Sequence, residues 1–106
     1  MEIFDIKEMT NGWFVGDFEP SIYKTNKCEV GVKTYKKGDT EEKHYHSKAY
    51  EITGIIKGKV KMNNSIINQG EFVLLGKDEA TDFEALEDTI TVVFKSTSVK
   101  NDKFLI

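Results

Sequence analysis

The sequence predicts an all-β fold, a sandwich or a barrel, from three observations. Short runs rich in β-branched and aromatic residues recur along the chain, polar turns containing glycine or asparagine separate them, and the last run is nearly continuous in β-branched residues. Glu29 to Tyr35 is the first clear strand, and Lys36-Lys-Gly-Asp39 ends it with a glycine-containing turn. The segment around His44 and His46 reads as a second strand. Tyr50 to Lys57 is another, broken at Gly58. Lys59 to Met62 and Ser65 to Ile67 flank Asn63-Asn64, two residues that tolerate positive φ and suit a tight hairpin. Glu71 to Leu75 and Thr89 to Lys95 complete the set. Lys77 to Asp82 reads as an irregular loop.

Composition bounds the rest. At 106 residues the chain suits one modest core and is too short for two, so one domain is expected. With 39% hydrophobic and 31% charged residues the balance is globular rather than disordered. A net charge of -3 gives no electrostatic case for nucleic acid. The single cysteine, Cys28, calls for no oxidising compartment and reads as a small strand residue. The N-terminus alternates charged with apolar residues, unlike a signal peptide, and no run approaches the roughly 20 apolar residues of a membrane span. A soluble, cytoplasmic protein is the expectation. The sequon at Asn63-Asn64-Ser65 is therefore read as a turn. No phosphate-cradling glycine motif exists, and pairing two of the many carboxylates as a glycosidase site has no support. Lys33, Lys36 and Lys37 could attract an anion, although lysines in and after a strand are usually solvated. Trp13 and Phe14 are read as a barrel cap or an interface.

His44 and His46, the only histidines, concentrate the chemistry. Histidine is the commonest metal ligand and normally titrates near neutrality. Side chains two apart on a strand share a face, which leaves Tyr45 on the other. If Ser47 to Tyr50 is a four-residue hairpin loop, Glu51 lies across the ladder from His46, with Cβ atoms roughly 4.5–5.5 Å apart. Two imidazoles and one carboxylate form the facial-triad ligand set, suited to Fe(II) and open to Mn, Ni or Zn, with positions left for substrate or water. A bare His-x-His pair is more often an exposed polar pair, so the surrounding spacing matters.

That spacing is Gly38, five residues, His44-x-His46, four residues, Glu51, six residues, Gly58. It resembles the first signature motif of the cupin superfamily. A second motif is matched in part. Gly70 opens it, Glu71-Phe-Val-Leu-Leu75 follows, and Phe83-Glu-Ala-Leu86 resembles its continuation. The usual proline and glycine positions hold Gly76 and Asp78, and the usual histidine position holds Thr81, so the fourth ligand of a typical cupin is missing. Asp82 stands beside the vacancy and could supply an oxygen, provided a bulge turns it inward; simple alternation sends it outward.

The resemblance covers about residues 30–95. It implies a small jelly-roll barrel, a single cupin domain over residues 1–106 with N-terminal strands in 1–28, and a homodimer. It also implies one divalent metal ion (Fe, Mn, Ni or Zn) on His44, His46 and Glu51, with Asp82 as the candidate fourth ligand. Three functions follow. The first is a metal-dependent enzyme, a dioxygenase or isomerase, acting on a small organic molecule. The second is a metal-free sugar or sugar-nucleotide isomerase or epimerase, with His44 or His46 as base and Tyr35 or Tyr50 as proton donor. The third is a non-catalytic module that binds a small molecule. No residue names the substrate.

Overall fold

The computed structural model describes residues 1–106. Two 3-10 turns, Ile6–Glu8 and Thr10–Gly12, precede eleven strands. These are β1 (Trp13–Gly16), β2 (Tyr23–Lys24), β3 (Glu29–Tyr35), β4 (Thr40–Tyr45), β5 (Glu51–Lys57) and β6 (Lys59–Met62). They continue with β7 (Ser65–Asn68), β8 (Phe72–Leu75), β9 (Thr81–Ala85), β10 (Thr89–Lys95) and β11 (Phe104–Leu105). One sheet runs β2-β1-β3-β10-β5-β8 and the other β11-β4-β9-β6-β7. From β3 to β10 the chain changes sheet at every connection except the β6–β7 hairpin, which is jelly-roll wiring.

Period-two alternation decides what lies between the sheets. Inward residues at one end are apolar: Ile55, Val60, Met62, Leu75, Phe83 and Ala85 form the buried core, with Tyr35, Ile67 and Val73 packed against it. Toward the other end the inward positions turn polar, as Lys33 on β3, Thr91 and Lys95 on β10, and Glu51 and Thr53 on β5. Met62 and Phe83 belong both to the core and to the wall of the resulting cavity, so the core is its floor.

Local sequence accounts for several joints. Asn63 and Asn64 adopt φ of 47° and 66° and connect Met62 to its ladder partner Ser65, the two-residue hairpin their chemistry favours. Gly58 has φ of 98°, and a Cβ there would run into Thr89 Oγ1 and the Asp88 carbonyl, so both conformation and space require glycine. Gly38 has φ of 94° with open space around it, so conformation alone requires glycine there.

Two expectations are corrected. Residues 47–50 do not close a hairpin: β4 and β5 lie in different sheets, and Glu51 pairs with Lys95 and Leu75 rather than with His46. The loop read at Lys77 to Asp82 ends earlier, because Thr81 pairs with His44 and opens β9.

Candidate functional site in the barrel cavity

The polar end of the barrel encloses a cavity of about 290 Å³. The five-stranded sheet and the turn after β4 contribute Glu41, His44, His46 and Thr81. Facing them, the six-stranded sheet contributes Lys33, Tyr35, Glu51, Thr53, Thr91 and Lys95. His44, His46 and Glu51 thus line one space, brought together across the barrel rather than along a ladder.

Asp102 holds His46. Its carbonyl lies 2.7 Å from His46 Nδ1 and accepts that proton. Its carboxylate accepts from the Ser47, Lys48 and Ala49 amides at 3.1 Å and from the Ser47 hydroxyl at 2.7 Å, which fixes the segment that changes sheets. Burial opposes the charge on Asp102, but these hydrogen bonds outweigh it and hold the carboxyl below its ordinary value. With Nδ1 donating, His46 Nε2 keeps its lone pair. That atom is buried, has no hydrogen-bond partner, and lies 3.9 Å from Glu51 Oε1. His44 repeats the arrangement: Nδ1 is 3.0 Å from the Glu42 carbonyl, and its ring meets that of His46 edge-on at 5.2 Å.

Burial sets the electrostatics. It holds the His46 imidazole below its ordinary value, reinforced by the Lys95 ammonium, and it raises the Glu51 carboxyl, with Lys95 opposing. No set of three or more His, Cys, Asp or Glu side chains is drawn together tightly enough to be gathered around a metal ion. Two ligands sharing an ion at about 2.1 Å in tetrahedral geometry stand about 3.4 Å apart. The His46–Glu51 separation exceeds that by about half an ångström.

Other residues singled out by sequence fall differently. Asp82 is exposed on β9, turned away from the cavity, and accepts from the Asn63 amide at 2.8 Å. Its neighbours Thr81 and Phe83 face inward, as alternation requires without a bulge in β9. The bulge lies in β4 instead: Glu41 faces Phe83 and His44 faces Thr81, so three steps on β4 match two on β9. It aims both Glu41 and His44 into the cavity. Glu41 accepts from the Tyr35 hydroxyl at 2.6 Å. Burial, then this bond and the Glu41 charge, push the Tyr35 phenol far above its ordinary value, which makes it a poor proton donor. Tyr50 is exposed and lies outside the cavity wall, beside Lys77. Trp13 joins the cavity wall, with the ammonium groups of Lys33 and Lys95 each 4.9 Å from the centre of its ring.

Sequence reasoning missed Glu41, Thr91, Lys95 and Asp102. For Thr91 and Lys95 a signal existed, because alternation along Thr89 to Lys95 places polar residues on what should be a core-facing side. None existed for Asp102, 56 residues from His46.

No helix is long and apolar enough to cross a membrane. No family model and no curated protein matches the sequence. Solved structures do. An uncharacterised conserved protein with a double-stranded β-helix domain from Klebsiella pneumoniae superposes with TM-score 0.73 at 16% identity, over 98% of this chain and 90% of that one. A cupin-2 domain protein from Shewanella frigidimarina gives 0.57 at 16% identity, over 69% of this chain and 74% of that one. The pirin YhhW from Escherichia coli, in complex with nickel(II), gives 0.69 at 15% identity; the match covers 83% of this chain but only 39% of that protein. Two facing sheets, jelly-roll wiring and these superpositions agree: the chain has the double-stranded β-helix fold of the cupin superfamily.

Proposed function

We propose that the chain binds one divalent metal ion through His44, His46 and Glu51 and presents it to a small organic molecule in the barrel cavity. The observation that carries this reading is the buried, unpartnered Nε2 of His46. An imidazole nitrogen enclosed without a partner is costly, and a metal ion is the partner its chemistry suits. Both histidines donate Nδ1–H to backbone carbonyls, the outer support that fixes a ligating tautomer. Glu51, made harder to ionise by burial, would regain its charge beside a cation.

Bound there, the ion would supply Lewis acidity or an O₂-binding centre at its open positions. The chain's own groups do the rest. Asp102 orients His46. Phe83 and Met62 close the floor against water. Glu41 and Tyr35 hold each other, which keeps a carboxylate in place beside the histidines. The nickel(II) held by YhhW is a property of that protein; the shared fold lends this chain no residue assignment.

The test is elemental analysis of untagged protein beside the His44→Ala, His46→Ala double variant. About one equivalent of iron, manganese, nickel or zinc per chain, absent from the variant, is expected. Equal metal in both proteins, or none in the wild type after divalent ions are added back, would overturn the proposal.

A further inference from the structure

The cavity wall facing the histidines carries one ammonium, that of Lys33, with no carboxylate at ion-pair distance. In a jelly roll the inner sheet face is normally apolar, yet Lys33 on β3 and Thr91 on β10 are directly opposed partners there, with Lys95 two positions beyond Val93. Lys33 Nζ donates to the Asn11 carbonyl at 2.7 Å and sits 4.9 Å from the centre of the Trp13 ring, with no carboxylate at ion-pair distance. Lys95 stands over the same ring, also at 4.9 Å, and reaches Glu29 only at 3.9 Å. Two ammonium groups thus lie within 4.9 Å of one indole, and of the two only Lys95 has a carboxylate, Glu29, as counter-ion; Lys33 is left without one.

A second, independent feature points the same way. Thr91, a residue of the cavity wall, is fully buried, and its hydroxyl has no hydrogen-bond partner. Valine has the same shape and would leave no orphaned group, so the hydroxyl marks a place where a ligand oxygen is accommodated. The cavity lining itself holds the ammonium groups of Lys33, Lys95 and Lys103 and the carboxylates of Glu41 and Glu51, while Glu29, behind the lining, pairs with Lys95.

We infer that Lys33 and Thr91 form an anion subsite for a carboxylate of the organic ligand, whose other end reaches toward His44, His46 and Glu51. The inference rests on reading this cavity as a small-molecule site, and does not require the metal. A carboxylate offers two oxygens, one for the Thr91 hydroxyl and one for the N–H groups of Lys33 that Asn11 leaves free. Lys95 and Lys103 add long-range attraction. Burial, with Lys95 and Lys103, already holds the Lys33 ammonium below its ordinary value, while Glu41 opposes. An anion would relieve that stress. The volume limits the ligand to a small acid, since about 290 Å³ is at the lower end for ligand pockets.

The experiment is calorimetric titration of metal-free and nickel-loaded protein with sodium glutarate and with its neutral analogue glutaramide. Glutarate is expected to bind both forms at least about 10-fold tighter than glutaramide. Lys33→Met should lower glutarate affinity by about 10-fold or more, and Thr91→Val by about 3-fold, with metal content and melting temperature near wild type. Equal affinity for glutarate and glutaramide would overturn the subsite, as would unchanged glutarate affinity in Lys33→Met. Glutarate preference retained in protein that takes up no metal would support the subsite and count against the metal proposal alone.

Discussion

His46 illustrates how one residue is prepared by its surroundings. Its Nδ1 proton is committed to the Asp102 carbonyl, its Nε2 faces Glu51 without a partner, and burial favours the neutral ring. Stability should therefore depend on pH in a definite direction. A histidine held below its ordinary value near 6.5 is neutral in the fold while the unfolded chain takes up a proton, so its contribution is complete above pH 6.5 and is lost as pH falls toward the folded value. Glu51, raised above 4.5, acts oppositely, its burial cost fading as it takes up a proton. Comparing metal-free wild type with His46→Gln isolates the histidine. In urea unfolding, the wild type should lose ground to the variant below pH 6.5, by at most about 1.4 kcal/mol per pH unit. Parallel pH profiles would mean that the ring is not held neutral. At this scale the spacing singled out His44, His46 and Glu51, which the fold brings to the wall of one cavity. The sequence could not disclose Asp102 or Glu41, because one depends on a contact distant along the chain and the other on a bulge.

Elements were legible where local chemistry decides them. Glu29–Tyr35 and Thr89–Lys95 follow from β-branched runs, and the Asn63-Asn64 hairpin from residues tolerant of positive φ. The passage from β4 to β5 was not legible, since four polar residues can close a hairpin or cross between sheets, and only the packing of the two inner faces selects the crossing. The two motif glycines separate conformation from space. Gly38→Ala strains φ but meets no neighbour, and should cost about 1–2 kcal/mol. Gly58→Ala adds a collision with Thr89 and the Asp88 carbonyl, and should cost about 3 kcal/mol or more. Chemical denaturation orders the two; equal losses would show that the β5–β6 joint relaxes freely.

The whole molecule has one face that the cavity does not explain. Phe72 and Leu74 on β8, exposed at 60% and 65%, adjoin Ile52 and Ile56 on β5 and Phe94 on β10, on the outer side of the six-stranded sheet. β8 is an edge strand, so its outer backbone groups have no neighbour in the sheet. We propose that a second copy of the chain covers this face. A two-fold axis beside β8 would pair the apolar patch with itself, as an isologous interface requires. Sedimentation of the wild type at micromolar concentration should give a dimer, and Leu74→Glu a monomer with unchanged metal content. A monomeric wild type would leave the patch unexplained.

The fold turns a chain of dispersed polar residues into one lined cavity, and the central claim is that this cavity holds a metal. The most direct measurement is calorimetric titration of chelator-stripped, untagged protein with nickel(II), beside Glu51→Ala and the His44→Ala, His46→Ala double variant. One site per chain is predicted for the wild type, at least about 100-fold weaker in Glu51→Ala and lost in the double variant, since outer support alone accounts for 10–100-fold. Binding of equal strength in all three proteins, or no heat of binding in any, would contradict it.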